Sequence, residues 1–174
     1  DMAFGHWGKG LHVNLTTGAI TVETLDEVWL RRYVGGWGFI AYYLLKEMPA
    51  GVDPLGPDNL LVYATGPLTG QNVAGGGRHM IGARSPLTGG FSGSECGGFF
   101  GAELKRAGWD LILFEGVSPR PVYLRIQDDR VELRSAEHLW GLETGVVQDR
   151  IREELGDKAI RVSQCGPAGE RLVR

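Results

Sequence analysis

The sequence predicts an α+β fold, and three observations predict it. Alternating apolar residues mark two β-hairpins far apart in the chain. Helical stretches lie between and after them, without the regular strand–helix–strand rhythm of a doubly wound sheet. A strand-to-loop phrase at 60–67 (LLVYATGP) returns at 160–167 (IRVSQCGP), which fits either two similar units related by a pseudo-twofold or a short chance repeat.

The elements follow in order. Leu11, Val13 and Leu15 alternate with polar residues, Thr16, Thr17 and Gly18 make a turn, and Ile20 and Val22 alternate again. Asp26 is placed to cap a short helix running to about Tyr33. A second helix is expected over 39–48, ended by Pro49, Asp53 and Pro54. The apolar run 60–64 reads as a buried strand. A helix starting near Phe99 puts Phe100, Leu104 and Ala107 on one face and Glu103, Lys105 and Arg106 on the other, with Gly108 as its cap. The run 111–114 is a second buried strand. In the second hairpin Val122, Leu124 and Ile126 lead to Asp128 and Asp129, and Val131 and Leu133 return. An amphipathic helix over 144–155 is closed by Gly156, and 159–163 is expected to be a last short strand.

Composition sets bounds. The chain has 174 residues, enough for one domain with a real core. A net charge of −3, with no basic patch, argues against nucleic acid. No apolar run reaches the length of a membrane span, and no secretory signal is evident at the start. The two cysteines, Cys96 and Cys165, cannot supply the four ligands of an iron–sulfur cluster and are expected to be small buried residues. Reducing, cytoplasmic surroundings fit that usage.

The segment 75–101 concentrates the chemistry. Ten of its 27 residues are glycine, and only Arg78, Arg84 and Glu95 carry full charge. So many glycines would weaken a helix or strand, and the apolar residues Met80, Ile81, Phe99 and Phe100 set it apart from a flexible linker. The expectation is a backbone surface shaped against a large, flat or anionic ligand. Gly97 and Gly98 precede the expected helix, whose unpaired N–H groups suit phosphate, and Ser94 is placed to cap that helix or to offer its hydroxyl. The planar fork of Arg78 suits phosphate or a heterocycle. The four histidines lack metal-ligand spacing, and His79 is read as structural. The tryptophans are read mostly as core anchors. No nucleophile triad or carboxylate pair stands out.

Further phrases carry a resemblance. They are Trp7-Gly8, 13–18 (VNLTTG), 66–70 (GPLTG), Gly76-Gly77-Arg78, 85–89 (SPLTG), 97–105 (GGFFGAELK), 138–141 (HLWG) and 166–170 (GPAGE). In this order, over essentially the whole chain, they resemble the N-terminal domain of the tungsten-dependent aldehyde ferredoxin oxidoreductases.

The resemblance implies two mixed β-sheets in a pseudo-twofold, saddle-like arrangement with flanking helices. It implies that residues 1–174 are a pterin-binding domain, a fragment or split subunit of a longer enzyme. The cofactor implied is tungsten or molybdenum held by two pyranopterins whose phosphates share magnesium. The residues implied to receive it are Arg78, Ser94, Glu95, Cys96 and Gly97, with the Glu95 backbone carbonyl binding magnesium. The family usually has asparagine at the position of Glu95. A 4Fe-4S cluster and the substrate-side acids belong to the remaining domains. The implied activity is aldehyde oxidation with ferredoxin as acceptor, and a homodimer is an expected assembly. The competing reading is a non-catalytic pterin- or phosphate-binding module used in cofactor delivery or as a scaffold.

Overall fold

The computed structural model describes residues 5–173. A six-stranded mixed sheet forms the centre. In chain order its strands are β1 (Lys9–Asn14), β2 (Ile20–Thr24), β3 (Leu61–Ala64), β4 (His79–Arg84), β5 (Phe91–Cys96) and β6 (Leu111–Glu115). They lie side by side as β2-β1-β6-β3-β4-β5. Only β1 and β6 pair in parallel; the other neighbours are antiparallel. A two-stranded sheet of β7 (Val122–Gln127) and β8 (Arg130–Ser135) stands apart.

Local chemistry explains most of the boundaries. The Asn14 side chain accepts hydrogen bonds from the N–H groups of Thr16 and Thr17, which folds the β1–β2 turn. Asp26 caps α1 (Glu27–Tyr33) by accepting from Trp29 N at 2.8 Å. Helix α2 (Trp37–Lys46) starts and ends two residues earlier than periodicity suggests. Helix α3 (Phe100–Arg106) closes on Gly108, whose N–H bonds Lys105 O while Trp109 N bonds Leu104 O. Helix α4 (Thr144–Leu155) closes on left-handed Gly156.

The sheet is covered on both faces. Helices α1 and α2 bury Leu30, Phe39, Ile40, Tyr43 and Leu44 against Val62, Ala64, Met80 and Leu113. On the opposite face Leu104 of α3 and the β7–β8 hairpin pack on Leu11, Val13 and Ile112. Residues alternate between these layers along the central strands β3 and β6, so a helix and a hairpin of opposite patterning can share one sheet.

The glycine-rich segment contains two strands, β4 and β5, where glycine content argued against regular structure. The reason is the helix above them. Gly82 and Gly93 are cross-strand partners. A Cβ on Gly82 would stand 2.3 Å from Ile40 Cγ2, and one on Gly93 would stand 2.5 Å from the Trp37 ring. Glycine here lets α2 settle onto the sheet, and that close packing offsets the weak strand preference.

Three further expectations are corrected. The segment 159–163 forms no strand, so of the two echoing phrases only 60–67 contributes to a ladder. Short extended runs need a partner edge, and this one finds side chains instead. Lys105, read as part of the exposed face of α3, is 6% exposed because buried Asp110 meets it. Among the tryptophans Trp109 is buried and Trp29 packs on the core, but Trp7, Trp37 and Trp140 are about half exposed.

Candidate functional site

The site is built on the β4–β5 hairpin and the loops at its open end. The phrase 85–89 is the hairpin turn: Ser85 Oγ accepts from the N–H groups of Leu87 and Thr88, and Gly89 N bonds Ser85 O. Its echo at 66–70 does a different task. Gly66 N donates to Thr69 Oγ1, and that hydroxyl donates to Arg78 O, each at 2.9 Å. Thr69 is buried, so its hydroxyl pins the backbone of Arg78 and leaves the side chain outside that contact. Behind it, Gly77 and Gly98 touch backbone to backbone: a Cβ on Gly77 would lie 2.4 Å from Gly98 O.

Arg78 and Glu95 meet at this end. Arg78 Nη1 lies 3.2 Å from Glu95 Oε2, with the side chains 58% and 48% exposed. Glu95 stands opposite Met80, which belongs to the core beneath α2, so the pair lies on the helix side of the sheet. Ser94 and Cys96 stand opposite Ile81 and His79 and face the other way. The five implied site residues therefore share one strand end, divided between its two faces.

Ser94 does not cap a helix. It lies inside β5, and α3 begins after Phe99 with no side-chain cap. Gly97 and Gly98 are exposed, and among the described residues no hydrogen bond engages their N–H groups. A Cβ at either position would meet nothing within 4 Å. Strand β5 is also the outermost of its sheet, so its outer backbone groups lack a ladder partner.

Behind Cys96 the sheet face is aromatic. His79 is 3% exposed, with its ring between Tyr63, nearly parallel at 6.3 Å, and Phe100 at 5.2 Å. Neither ring nitrogen has a hydrogen-bond partner. Burial holds the His79 pKa below the ordinary histidine value, so the ring is neutral at neutral pH. Burial likewise raises the pKa of the Tyr63 phenol, which meets Ser163 Oγ at 3.2 Å. Both cysteines are exposed, contrary to the expectation of buried thiols, because Cys96 ends an edge strand and Cys165 lies in an unpaired segment.

One residue outside the sequence reading anchors this end from below. Asp110 is fully buried and accepts from Gly8 N at 2.6 Å and from Lys105 Nζ. Burial alone would raise its pKa, but His6 at 3.6 Å and Lys105 outweigh that, and the carboxyl sits below its ordinary value. Trp7 Nε1 adds a 2.6 Å bond to Lys105 O. The signal available in the sequence was a lone acid directly before an apolar strand, which carries no hint of its partners.

Among the described residues no helix is long and apolar enough to cross a membrane, and no group of three or more His, Cys, Asp or Glu could hold a metal ion.

The fold and this strand end define a mixed-sheet domain with a glycine-lined edge, unpaired N–H groups and an accessible guanidinium. The chain belongs to the family of aldehyde ferredoxin oxidoreductase N-terminal domains, whose model matches residues 10–174. It is 50% identical over 171 residues to the tungsten-containing aldehyde ferredoxin oxidoreductase of Pyrococcus abyssi, covering 98% of this chain and 28% of that protein. It is 41% identical over 142 residues to the aliphatic sulfonate oxidoreductase, WOR-like subunit, of Pyrococcus furiosus, covering 80% of this chain and 22% of that one. Among solved structures, a benzoyl-coenzyme A reductase active-site complex with 1,5-dienoyl-CoA contains a chain that superposes with a TM-score of 0.94 at 39% identity, over 97% of this chain and 26% of that one. The chain thus spans 28% of the length of the tungsten-containing relative.

Proposed function

We propose that residues 1–174 form the pterin-binding N-terminal domain of a tungsten- or molybdenum-dependent bis-pyranopterin oxidoreductase. The whole enzyme oxidises small aldehydes to carboxylic acids and passes the electrons to ferredoxin. The observation that carries this reading is that Arg78, paired with Glu95, and the open N–H groups of Gly97 and Gly98 lie at one strand end, in a chain matched over 98% of its length by a tungsten-containing relative.

The residues present fit such a group. Gly97 and Gly98 leave open space where a side chain would stand, so a flat ring or a phosphate can approach the backbone. Their N–H groups donate to phosphate oxygens. Arg78 offers a planar fork on a backbone that Thr69 fixes. The Glu95 carbonyl, on the outermost strand, is the candidate magnesium contact, and Ser94 and Cys96 flank it on the opposite face. When bound, the metal–pterin group supplies the two-electron redox chemistry. The 4Fe-4S cluster and the acids that choose the substrate belong to the remaining domains.

The test is metal and pterin analysis of the full-length protein that carries this chain, with dye reduction over an aldehyde series. Bound tungsten or molybdenum together with pterin, and aldehyde-dependent reduction, support the reading. Protein purified with neither metal nor pterin would defeat it.

A further inference from the structure

The segment 159–166 makes no ladder, yet side chains fasten it. Ser163 Oγ meets the Tyr63 hydroxyl at 3.2 Å, and Gln164 Nε2 donates to Thr144 O at 2.8 Å. These contacts lay the segment against the sheet face that carries Tyr63, His79 and Cys96. There the Arg161 guanidinium lies 4.8 Å from the centre of the Phe99 ring. Among the described residues no carboxylate stands within ion-pair distance of Arg161, and it makes no hydrogen bond. Its Nε is buried and without a partner.

A cation drawn partly out of water with no counter-ion is costly unless an anion meets it. Stacking uses the flat face of a guanidinium and leaves its in-plane donors free. Phe99, the ring beneath it, is 65% exposed and directly follows Gly97 and Gly98. We infer that Arg161 is a second cation of the cofactor site, receiving a phosphate-class anion from the sheet face opposite the one that carries Arg78. The inference rests on the cofactor-domain reading above and extends it. The ligand is gripped from both sides of the β5 end. Arg78 acts on the α2 side, Arg161 acts on the Tyr63 side, and the glycine N–H groups lie between them.

The test uses the full-length protein as wild type and as Arg161→Ala, Arg161→Met and Arg161→Lys. Methionine keeps an unbranched apolar stem over Phe99 and removes the charge. Metal and pterin per protein are measured, and cofactor-free protein is titrated with inorganic pyrophosphate at two salt concentrations. Losing a charge-assisted hydrogen bond predicts about tenfold to hundredfold weaker retention in the Met and Ala variants. The Lys variant should recover part of it. Pyrophosphate affinity should fall in the same order and lose part of its salt dependence. Wild-type pterin content and pyrophosphate affinity in Arg161→Met would overturn the assignment, leaving Arg161 as a packing residue. If the wild type itself holds neither metal nor pterin, the cofactor reading fails, and the pyrophosphate titration alone decides whether Arg161 receives anions.

Discussion

Arg78 is held by Glu95, Nη1 to Oε2 at 3.2 Å, across the open end of the β4–β5 ladder. The chain therefore brings its own anion to the arginine that the family resemblance assigns to the pterin. Both side chains are half exposed, so the pair is worth only about 0–1 kcal/mol. A phosphate group, with more charge and more acceptor oxygens, can displace it.

Arg78→Ala should lower bound metal and pterin about tenfold to hundredfold, the loss expected for one charge-assisted hydrogen bond. The melting temperature of the cofactor-free protein should barely move, since the pair contributes so little. Arg78→Lys should recover part of the cofactor, lacking the planar fork. Full cofactor content in Arg78→Ala would reduce the residue to a surface charge.

Glu95→Asn should act in the opposite direction. Freeing Arg78 from a pair worth at most about 1 kcal/mol raises retention by up to roughly fivefold. The gain should shrink as salt screens the pair in the wild type. Lower retention in Glu95→Asn would mean that the carboxylate itself helps to hold the cofactor or its cation.

Glycines at this edge should separate into two kinds. Gly82→Ala drives a methyl to 2.3 Å from Ile40 Cγ2, and overpacking of this sort costs about 1–3 kcal/mol. Gly97→Ala meets nothing within 4 Å and should leave stability unchanged while reducing cofactor content. Equal melting temperatures for wild type and Gly82→Ala in the cofactor-free protein would show that α2 does not press on the sheet as described.

Acid should weaken the domain through His79. Its folded pKa is lowered by burial, so the unfolded chain binds the proton more readily. The stability from the neutral ring is fully present above the unfolded value of about 6.5 and declines as pH falls from there towards the lower folded value. His79→Phe keeps an aromatic ring beside Tyr63 and Phe100 and should flatten the fall between pH 7 and 5. Denaturant melts across that range, in wild type and variant, measure the difference. Parallel curves would remove His79 as the cause.

Asp110→Asn should be the most damaging of these changes. It leaves Lys105, 6% exposed, without its counter-charge, a loss of about 3–5 kcal/mol for a broken buried pair. Urea unfolding of the cofactor-free protein gives the value directly. A loss below about 1 kcal/mol would show that water reaches the pair.

The local grammar of this chain is legible. Asp26 caps α1, Gly108 and Gly156 close α3 and α4, and the alternation around Asp128 makes the β7–β8 hairpin. Each depends on neighbours within a few residues. The resemblance phrases likewise mark Arg78, Gly97 and Glu95, which the hairpin brings to one end. Strands β4 and β5 were hidden because their glycines answer to Ile40 and Trp37, some forty to sixty residues earlier in the chain.

By itself the sequence determined the β1–β2 and β7–β8 hairpins, the cap at Asp26, the closing glycines of α3 and α4, the mixed α+β class and the segment where the chemistry concentrates, because periodicity and turn residues act locally. Only the tertiary structure decided which charges meet. It turned Lys105 inward to Asp110, paired Arg78 with Glu95, left Arg161 over Phe99 without a counter-ion and denied 159–163 a strand partner. Electrostatic partners and ladder edges are relations across space. They exist only once the sheet order β2-β1-β6-β3-β4-β5 has brought distant residues within a few ångströms of one another.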